Sequence, residues 1–352
     1  MQRIAVIPGD GVGKEVTREA VKVLRALEAS GGPALELVEW PHGADRYLES
    51  GETITDAEFA DLRENYAAIL LGALGDPRVP GNEHARQILL GMRFKLDLFI
   101  NFRPVKLLDA RLTPLKDKTV DDIDFVIFRE NTEGVYVGMG GTFKEGTPDE
   151  VAIQEDVNTR KGVERIVRAA FEYARANGHG RVTLSDKANA MEFAGGIWRR
   201  VFKAVAAEYP EIQTEALYVD MLAMDLVRRP ERYRVIVTGN LFGDILSDLG
   251  AALVGSLGLT ASGNIHPGRV SLFEPVHGSA PDIAGKDQAN PFAAVLTSAL
   301  MLRHLGNADA AARLEEAVRD AVVAGETTAD LGGTLGTRAA GDAIVRRISS
   351  TS

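Results

Sequence analysis

Two aspartates, Asp244 and Asp248, are four residues apart, a spacing at which their carboxylates could bind a metal ion together. The segment that carries them follows a predicted strand and reads as a helix, so both carboxylates lie on one helical face. Like charges so close repel each other, and a hard divalent cation would remove that repulsion. An ordinary solvated helix face is the alternative. The local spacing leaves a metal site and a solvent-facing pair both open.

Three arginines, Arg93, Arg103 and Arg129, lie in segments that are otherwise apolar. The planar guanidinium group of an arginine at the end of a buried strand usually binds a carboxylate or a phosphate. Structural ion pairing is the alternative for each of them. The pattern therefore predicts either a site for a small anion or a set of buried ion pairs.

A lysine, a tyrosine and a glycine-rich turn complete the chemical candidates. Lys187 follows a predicted strand, where a desolvated ammonium group could have a lowered pKa and act as a base, whereas Tyr136 alone indicates little. The glycines of the segment 9–13 would let the backbone approach a ligand closely. Their spacing does not match GxGxxG, so an ordinary strand-to-helix turn explains them equally well.

The elements that must position these side chains alternate between buried strand-like runs and longer helical patterns, which predicts an α/β fold with much parallel pairing. The clearest helix covers residues 162–177, where apolar residues recur at helical spacing. Residues 134–156 are irregular and too long for a simple turn, so they predict an arm or a functional loop. The predicted strands cover residues 4–7, 68–71, 125–128, 181–185 and 234–237.

Composition limits the classes of function. The 352 residues exceed the usual size of one hydrophobic core and favour two domains or one large α/β domain. No apolar run approaches the ~20 residues of a membrane span, and the first residues do not read as a signal peptide, so the default expectation is a cytoplasmic protein. The absence of cysteine excludes thiolate chemistry, and the net charge of -10 argues against nucleic acid as a partner.

Five segments, taken together and in order, resemble the β-decarboxylating dehydrogenases, the family of isopropylmalate, isocitrate, homoisocitrate and tartrate/D-malate dehydrogenases. The resemblance covers nearly the whole chain. It implies a two-domain α/β fold that is not a true Rossmann fold, and a homodimer with shared active sites. The first, cofactor-binding domain would comprise 1–98 and 255–352, and the second, 99–254, would carry a dimerisation arm. The five segments are GDG at 9–11, NFRP at 101–104, DKAN at 186–189, GNLFGDILSD at 239–248 and HGSAP at 277–281.

The resemblance also implies roles for individual residues. Arg93, Arg103 and Arg129 would hold the carboxylates of a malate unit. Asp244 and Asp248, with Asp220 of the partner subunit, would bind Mg²⁺ or Mn²⁺.

By the same resemblance, the partner subunit's Lys187 would help to remove the hydroxyl proton, and Tyr136 would protonate the product after CO₂ is lost. Asp282 and Ile283 stand where NADP-dependent isocitrate dehydrogenases typically carry lysine and tyrosine. An aspartate can accept hydrogen bonds from a ribose diol and repels a 2′-phosphate, so NAD is predicted. The implied cofactor residues are His277, Gly278, Ser279, Ala280, Asp282, Ile283 and Asn290.

The helix before Arg93 bears on the substrate. Leu89 and Leu90 resemble the apolar pair that receives the isopropyl group, which predicts 3-isopropylmalate and a role in leucine biosynthesis. Arg86 stands where a glutamate often occurs, and Asn-Thr-Glu at 131–133 replaces a common Leu-Thr-Gly. Both features resemble the isocitrate, homoisocitrate or tartrate/D-malate branches, in which Arg86 could bind a third carboxylate.

A noncatalytic regulatory subunit of a hetero-oligomeric dehydrogenase is an alternative of another class. Such chains lose a metal-binding aspartate or the catalytic lysine. This chain keeps Lys187 and the three aspartates, so an active enzyme is the prediction.

Overall fold

The computed structural model describes residues 1–350, and it has the predicted α/β fold. Within these residues, no helix is long and apolar enough to cross a membrane. The strands are β1 (Gln2–Gly9), β2 (Leu35–Glu39), β3 (Ala68–Ala73), β4 (Ile100–Lys106), β5 (Asp124–Glu130), β6 (Gly140–Phe143), β7 (Val151–Gln154), β8 (Arg181–Asp186), β9 (Gln213–Tyr218), β10 (Val235–Thr238), β11 (Ala261–Ile265) and β12 (Ser271–Pro275). The α-helices are α1 (Gly13–Ala29), α2 (Ala44–Ser50), α3 (Asp56–Asn65), α4 (Glu83–Lys95), α5 (Arg160–Ala176), α6 (Glu192–Ala206), α7 (Val219–Arg228), α8 (Asn240–Leu253), α9 (Phe292–His304), α10 (Ala308–Val323) and α11 (Thr337–Ser350).

The first compact unit comprises residues 1–98, 106–120 and 251 onward. Its strands follow the order β2-β1-β3-β12-β11, in which β1 pairs in parallel with β2 and β3, and β3 pairs in parallel with β12. Every residue of β3 is buried, as expected for a parallel strand that helices cover on both faces. The carboxyl ends of β1, β2 and β3 therefore open at one edge of this unit.

The boundaries of this unit differ from the predicted first domain, because residues 106–120 and 251–254 lie within the first unit. Leu108 and Leu112 pack against its apolar core, which explains why the segment 106–120 stays with it. The composition of the segment does not indicate which unit it packs against, so this boundary could not be predicted from the sequence. The binding roles assigned to the two domains remain predictions.

The second compact unit comprises residues 99–105 and 121–250, and its strands follow the order β4-β5-β10-β8-β9. Strand β10 pairs in parallel with β5 and β8, and β8 pairs in parallel with β9. Helix α5 begins two residues before the predicted start, because the Thr159 side chain accepts a hydrogen bond from the Gly162 amide and caps the helix there. Its apolar face is buried, as predicted, and the Phe171 ring lies 5.5 Å from that of Phe202.

The predicted arm is a two-stranded antiparallel ribbon formed by β6 and β7. All eight strand residues are exposed, including the apolar side chains of Phe143, Val151 and Ile153. A hairpin that buries so little apolar surface gains little stability by itself. Its fold thus depends on what it packs against.

Candidate active site

Arg129, Asp244 and Tyr136 form one cluster in the second unit. Arg129 is 1% exposed, and its guanidinium group pairs with the Asp244 carboxylate. The Tyr136 hydroxyl donates to the other oxygen of Asp244 at 2.8 Å, and the Arg129 guanidinium lies 5.3 Å from the centre of the Tyr136 ring. One predicted substrate residue, one predicted metal ligand and one predicted catalytic residue therefore meet at a single carboxylate.

The sheet explains why these residues meet. Arg129 in β5 lies opposite Thr238 in β10, so both strands deliver their carboxyl ends to the same place. Helix α8 begins two residues after Thr238, and its Asn240 accepts a hydrogen bond from Nε of Arg129 at 2.9 Å. At Gly243, a Cβ atom would lie 2.5 Å from Cγ of Arg129. A glycine is therefore required where α8 crosses the arginine.

Asp244 and Asp248 share one face of α8 but differ in their affinity for protons. Burial tends to raise the pKa of Asp244, but the charge of Arg129, the Tyr136 hydrogen bond and the charge of Arg103 together lower that pKa below its ordinary value. Burial and the negative charge of Asp244 raise the pKa of Asp248. The repulsion that the spacing predicted thus contributes to the raised pKa of Asp248, after burial.

Arg103 approaches the same aspartates from β4. It is 5% exposed, its Nε donates to Asn101 Oδ1 at 2.5 Å, and its Nη1 donates to Oγ of Ser247 in α8 at 3.4 Å. Its positive charge acts to lower the pKa of both aspartates, although burial and the charge of Asp244 leave the pKa of Asp248 raised. Two predicted carboxylate-binding arginines thus lie near the predicted metal ligands.

Lys187 and Asp220 form a second cluster in this unit. Lys187 Nζ donates to Asp220 Oδ1 at 2.6 Å, and this hydrogen bond lowers the pKa of Asp220. Strands β8 and β9 pair Asp186 with Tyr218, so Lys187 and Asp220 both lie just past the carboxyl ends of parallel strands. Asp186 itself accepts two hydrogen bonds from Arg199, at 2.7 and 3.0 Å. This ion pair anchors the backbone next to Lys187.

The structure does not place Asp220 with Asp244 and Asp248. Among residues 1–350 of one chain, no three acidic or histidine side chains form a group that could hold a metal ion. Asp220 pairs instead with Lys187. The two residues that the resemblance assigned to the partner subunit are therefore neighbours of each other.

A cavity with a volume of about 50 Å³ adjoins Lys187. Ser185, Trp198 and Asn240 lie in its wall. The Ser185 hydroxyl is buried, and no described residue forms a hydrogen bond with it. Its wall is mainly apolar, and the Ser185 hydroxyl is one of the few polar groups beside Lys187.

Helix α4 carries the other predicted substrate residues, in the first unit. Arg93 is buried, and its guanidinium lies 3.5 Å from the Glu274 carboxylate. Leu89 packs against an apolar core cluster, whereas Arg86 and Leu90 line an open groove on the same helix. The two leucines thus contact different surroundings.

His277 and Gly278 open the predicted cofactor loop, which follows β12. Nδ1 of His277 lies 3.0 Å from the Gly278 carbonyl oxygen, which can only accept, so Nδ1 carries the proton. Nε2 is then an acceptor; it is buried and has no hydrogen-bond partner among residues 1–350. Burial lowers the pKa of His277, which keeps the ring neutral near pH 7. The loop therefore offers an unused acceptor.

Ser279 and Ala280 lie against the glycine-rich turn. The Val12 amide donates to the Ser279 carbonyl at 2.8 Å. Gly11 has φ of 51°, and a Cβ atom there would lie 2.1 Å from that carbonyl oxygen. The close approach explains the need for glycine, and Ala280 packs against the apolar cluster that contains Val12.

Asp282, Ile283 and Asn290 end the predicted cofactor set. Asp282 is exposed, and Ile283 packs beside Val12. The Asn290 amide is held at both ends, because it donates to Asp330 Oδ2 at 3.0 Å and accepts from the Phe292 amide at 2.9 Å. Asp330 thus fixes the orientation of this side chain.

Sequence reasoning did not find the side chains that hold the predicted residues, namely Asn101, Asn240, Ser247, Asp186 and Arg199. Asn240 lies within the motif at 239–248 and Asn101 within the motif at 101–104, so their positions gave a signal. Their partners did not, because the bond between Arg129 and Asn240 joins residues 111 apart.

The chain is similar to known proteins over nearly its whole length. Residues 3–344 match the family model described as isocitrate/isopropylmalate dehydrogenase. The 3-isopropylmalate dehydrogenase of Thermobifida fusca is 48% identical over 348 residues, which are 98% of this chain and 97% of the relative. The 3-isopropylmalate dehydrogenase of Corynebacterium aurimucosum is 52% identical over 320 residues, or 90% of this chain and 92% of the relative.

Two solved structures have the same fold. A crystal structure of isocitrate dehydrogenase from Methylococcus capsulatus has a TM-score of 0.89 at 39% identity and covers 99% of this chain and 100% of its own. The apo form of a beta-decarboxylating dehydrogenase from Thermococcus kodakarensis has a TM-score of 0.82 at 37% identity. It covers 99% of this chain and 97% of its own.

Proposed function

Because the chain belongs to the isocitrate/isopropylmalate dehydrogenase family, we propose that it oxidises and decarboxylates 3-isopropylmalate to 2-oxoisocaproate, a step of leucine biosynthesis. It is a dehydrogenase, an oxidoreductase that acts on a hydroxy acid. The observation that carries this choice of substrate is the identity of 48 to 52% to full-length relatives named 3-isopropylmalate dehydrogenase. Leu90 lines an open groove on α4 and would receive the apolar substituent of the acid, whereas Leu89 packs against the core cluster beside it.

The arginines would bind the two carboxylates of the malate unit. Arg103 and Arg129 are buried guanidinium groups whose planar donors suit a carboxylate in two-point contact. Arg93 would contribute from α4. Since each is already oriented by a neighbour, little side-chain entropy is lost when the acid binds.

The aspartates on α8 fit a divalent metal. Their oxygens are the hard ligands that Mg²⁺ and Mn²⁺ prefer. Burial and the negative charge of Asp244 both raise the pKa of Asp248, and a bound cation would offset the repulsion between the two carboxylates. Asp244 and Asp248, with Asp220 of the partner subunit, would hold the ion. It would supply Lewis-acid stabilisation of the negative charge that develops as the hydroxyl group is oxidised.

Two side chains would move protons. The partner subunit's Lys187 would help to remove the hydroxyl proton, as part of general acid–base catalysis. Tyr136 would donate the proton that replaces the lost carboxyl group. Its hydroxyl lies 2.8 Å from Asp244, a predicted metal ligand, and would therefore be close to the bound acid. Arg129 would keep Tyr136 and Asp244 in place through its contacts with both.

NAD would accept the hydride from the substrate. The unpartnered Nε2 of His277 fits a nucleotide base, since an exocyclic amine on a purine ring is a donor of the required kind. The exposed Asp282 would accept hydrogen bonds from the ribose diol and repel the 2′-phosphate of NADP. The neutral ring of His277 also adds no charge to attract that phosphate.

A homodimer would complete the site. Lys187 and Asp220 lie in one cluster, and Asp244 lies in another, as expected if each active site combines clusters from two subunits. Large apolar side chains are exposed on α7 and α8, including Met224 and Ile245, the latter 56% exposed. Exposed apolar surface of this kind marks interaction sites.

The direct test is the initial rate of NAD reduction with Mg²⁺ or Mn²⁺, in which kcat/KM is compared for 3-isopropylmalate, isocitrate, homoisocitrate, D-malate and tartrate. NADP serves as the cofactor control, and added EDTA should abolish the reaction. We expect the highest kcat/KM for 3-isopropylmalate with NAD.

A second candidate substrate follows from Arg86. Its side chain is exposed in a groove and forms no ion pair or hydrogen bond with any residue in 1–350, so it could bind the third carboxylate of isocitrate or homoisocitrate. If a tricarboxylate gives the highest kcat/KM, and Arg86→Leu removes that preference, then the choice of 3-isopropylmalate is wrong.

A further inference from the structure

Asp10 is a buried carboxylate outside the set of predicted site residues. It follows β1, is 2% exposed and accepts three hydrogen bonds. The Ala44 amide donates to Oδ1 at 2.7 Å, and the Gly75 amide and Nε2 of His84 donate to Oδ2 at 2.8 Å each. Three donors satisfy a charge that would be costly to bury alone. Asp10 therefore joins three separate segments of the first unit.

His84 is the donor that comes from α4. It is fully buried, and Nε2 must carry the proton because an ionised carboxylate can only accept. The N-cap residue of α4, Asn82, has φ of 50° and makes no capping hydrogen bond through its side chain. The bond from His84 to Asp10 therefore ties down the first turn of the helix that carries Leu89 and Leu90.

The turn that contains Asp10 also holds the predicted cofactor loop. Val12, two residues after Asp10, donates its amide to the Ser279 carbonyl at 2.8 Å. The approach is so close that Gly11 has no room for a side chain beneath Ser279. Both α4 and the predicted cofactor loop are thus bound to the same glycine-rich turn, residues 9–13.

We propose that Asp10 and His84 are positioning residues, which place α4 and the loop at Ser279 together, so that one buried hydrogen bond sets the geometry of both the acid site and the nucleotide site. This inference rests on the proposed function for the identity of the two ligands. Neither residue is among those proposed to contact the hydroxy acid or NAD. Their effect passes through Val12 to the loop and through the first turn of α4 to the substrate residues.

The test compares His84→Ala, which removes the donor, with His84→Gln, whose side-chain amide nitrogen can occupy the place of Nε2. His304→Ala and His304→Gln are the matched controls, because His304 is a partly buried histidine of the same unit that packs on Phe273. The measurements are KM for the hydroxy acid, Kd for NADH from its fluorescence, and the melting temperature.

We expect both KM and Kd to rise together in His84→Ala by about tenfold, which is about 1.4 kcal/mol and close to the lower end of the usual contribution of a hydrogen bond to a charged group. His84→Gln should restore most of both values, and the His304 variants should change neither. If His84→Ala lowers the melting temperature but leaves both constants at the level of His304→Ala, the positioning role is overturned. The same holds if only one constant changes.

Hydrogen exchange separates this inference from the proposed function. The Val12 amide does not contact His84, yet it should exchange faster in His84→Ala and at the normal rate in His84→Gln. An unsubstituted enzyme that fails to oxidise any of the acids would refute the proposed function, whereas unchanged exchange at Val12 would refute the positioning role whatever the substrate is.

Discussion

At the scale of single residues, Asn240 holds Arg129 in place. It is 3% exposed, its Oδ1 accepts from Nε of Arg129 at 2.9 Å, and its Nδ2 donates to the Glu133 carbonyl at 3.0 Å. Each end of the amide has one partner, so the side chain has a single favourable orientation. Through Glu133 it also fixes the loop that leads to Tyr136.

Replacing Asn240 with leucine keeps the approximate shape of the side chain and removes both hydrogen bonds. We expect kcat/KM to fall by about 10- to 100-fold, because a hydrogen bond to a charged group contributes roughly 1.5 to 3 kcal/mol. Steady-state kinetics measure the change. Asn177→Leu, the same substitution at the exposed end of α5, is the control and should leave kcat/KM unchanged. If the two variants have equal kcat/KM, Asn240 does not position Arg129 for the reaction.

At the scale of elements, the packing of α8 on β5 depends on the absence of a side chain at Gly243. A Cβ atom there would lie 2.5 Å from Cγ and 2.6 Å from Cβ of Arg129. These atoms are at the root of the arginine side chain and cannot swing away. The helix can therefore approach the strand only where it carries glycine.

Gly243→Ala should push Arg129 away from Asp244 and raise KM for the acid by about tenfold or more, since small displacements in a site have large effects on rate. Gly196→Ala in α6 is the matched control, because its Cβ would meet only the flexible end of Arg200 at 3.1 Å. The control should keep KM and gain up to about 1 kcal/mol in the free energy of unfolding from helix propensity. A Gly243→Ala variant with unchanged KM would contradict the packing argument.

At the scale of the whole molecule, the proposed homodimer predicts that two subunits share each site. Lys187→Met and Asp244→Asn should each abolish activity. A purified hybrid dimer that carries one substitution per subunit would contain one complete site, and about half of the normal activity should return.

A hybrid of Lys187→Met with Asp220→Asn is the control. Lys187 and Asp220 lie 2.6 Å apart in one chain, so each site of this hybrid lacks one of them and no activity should return. If the first hybrid also remains inactive although it is dimeric, the sites are not shared.

The sequence alone was sufficient for the fold class, the family and several of the local elements. The five segments in order predicted the family, which the full-length match confirms. Strand β3 and the buried face of α5 were readable because a hydrophobic period is a local property of the chain. The type of residue at Arg129, Asp244 and Lys187 was likewise visible before any contact was known.

Only the tertiary structure decided which of these residues touch. It placed Asp220 with Lys187, and it placed Leu241 and Ile245 of α8 on the surface although their spacing is that of an apolar stripe. It also joined His84 to Asp10 across 74 residues. The physical reason is that a hydrogen bond between distant residues depends on how strands and helices pack, and local spacing in a single sequence carries no record of that packing.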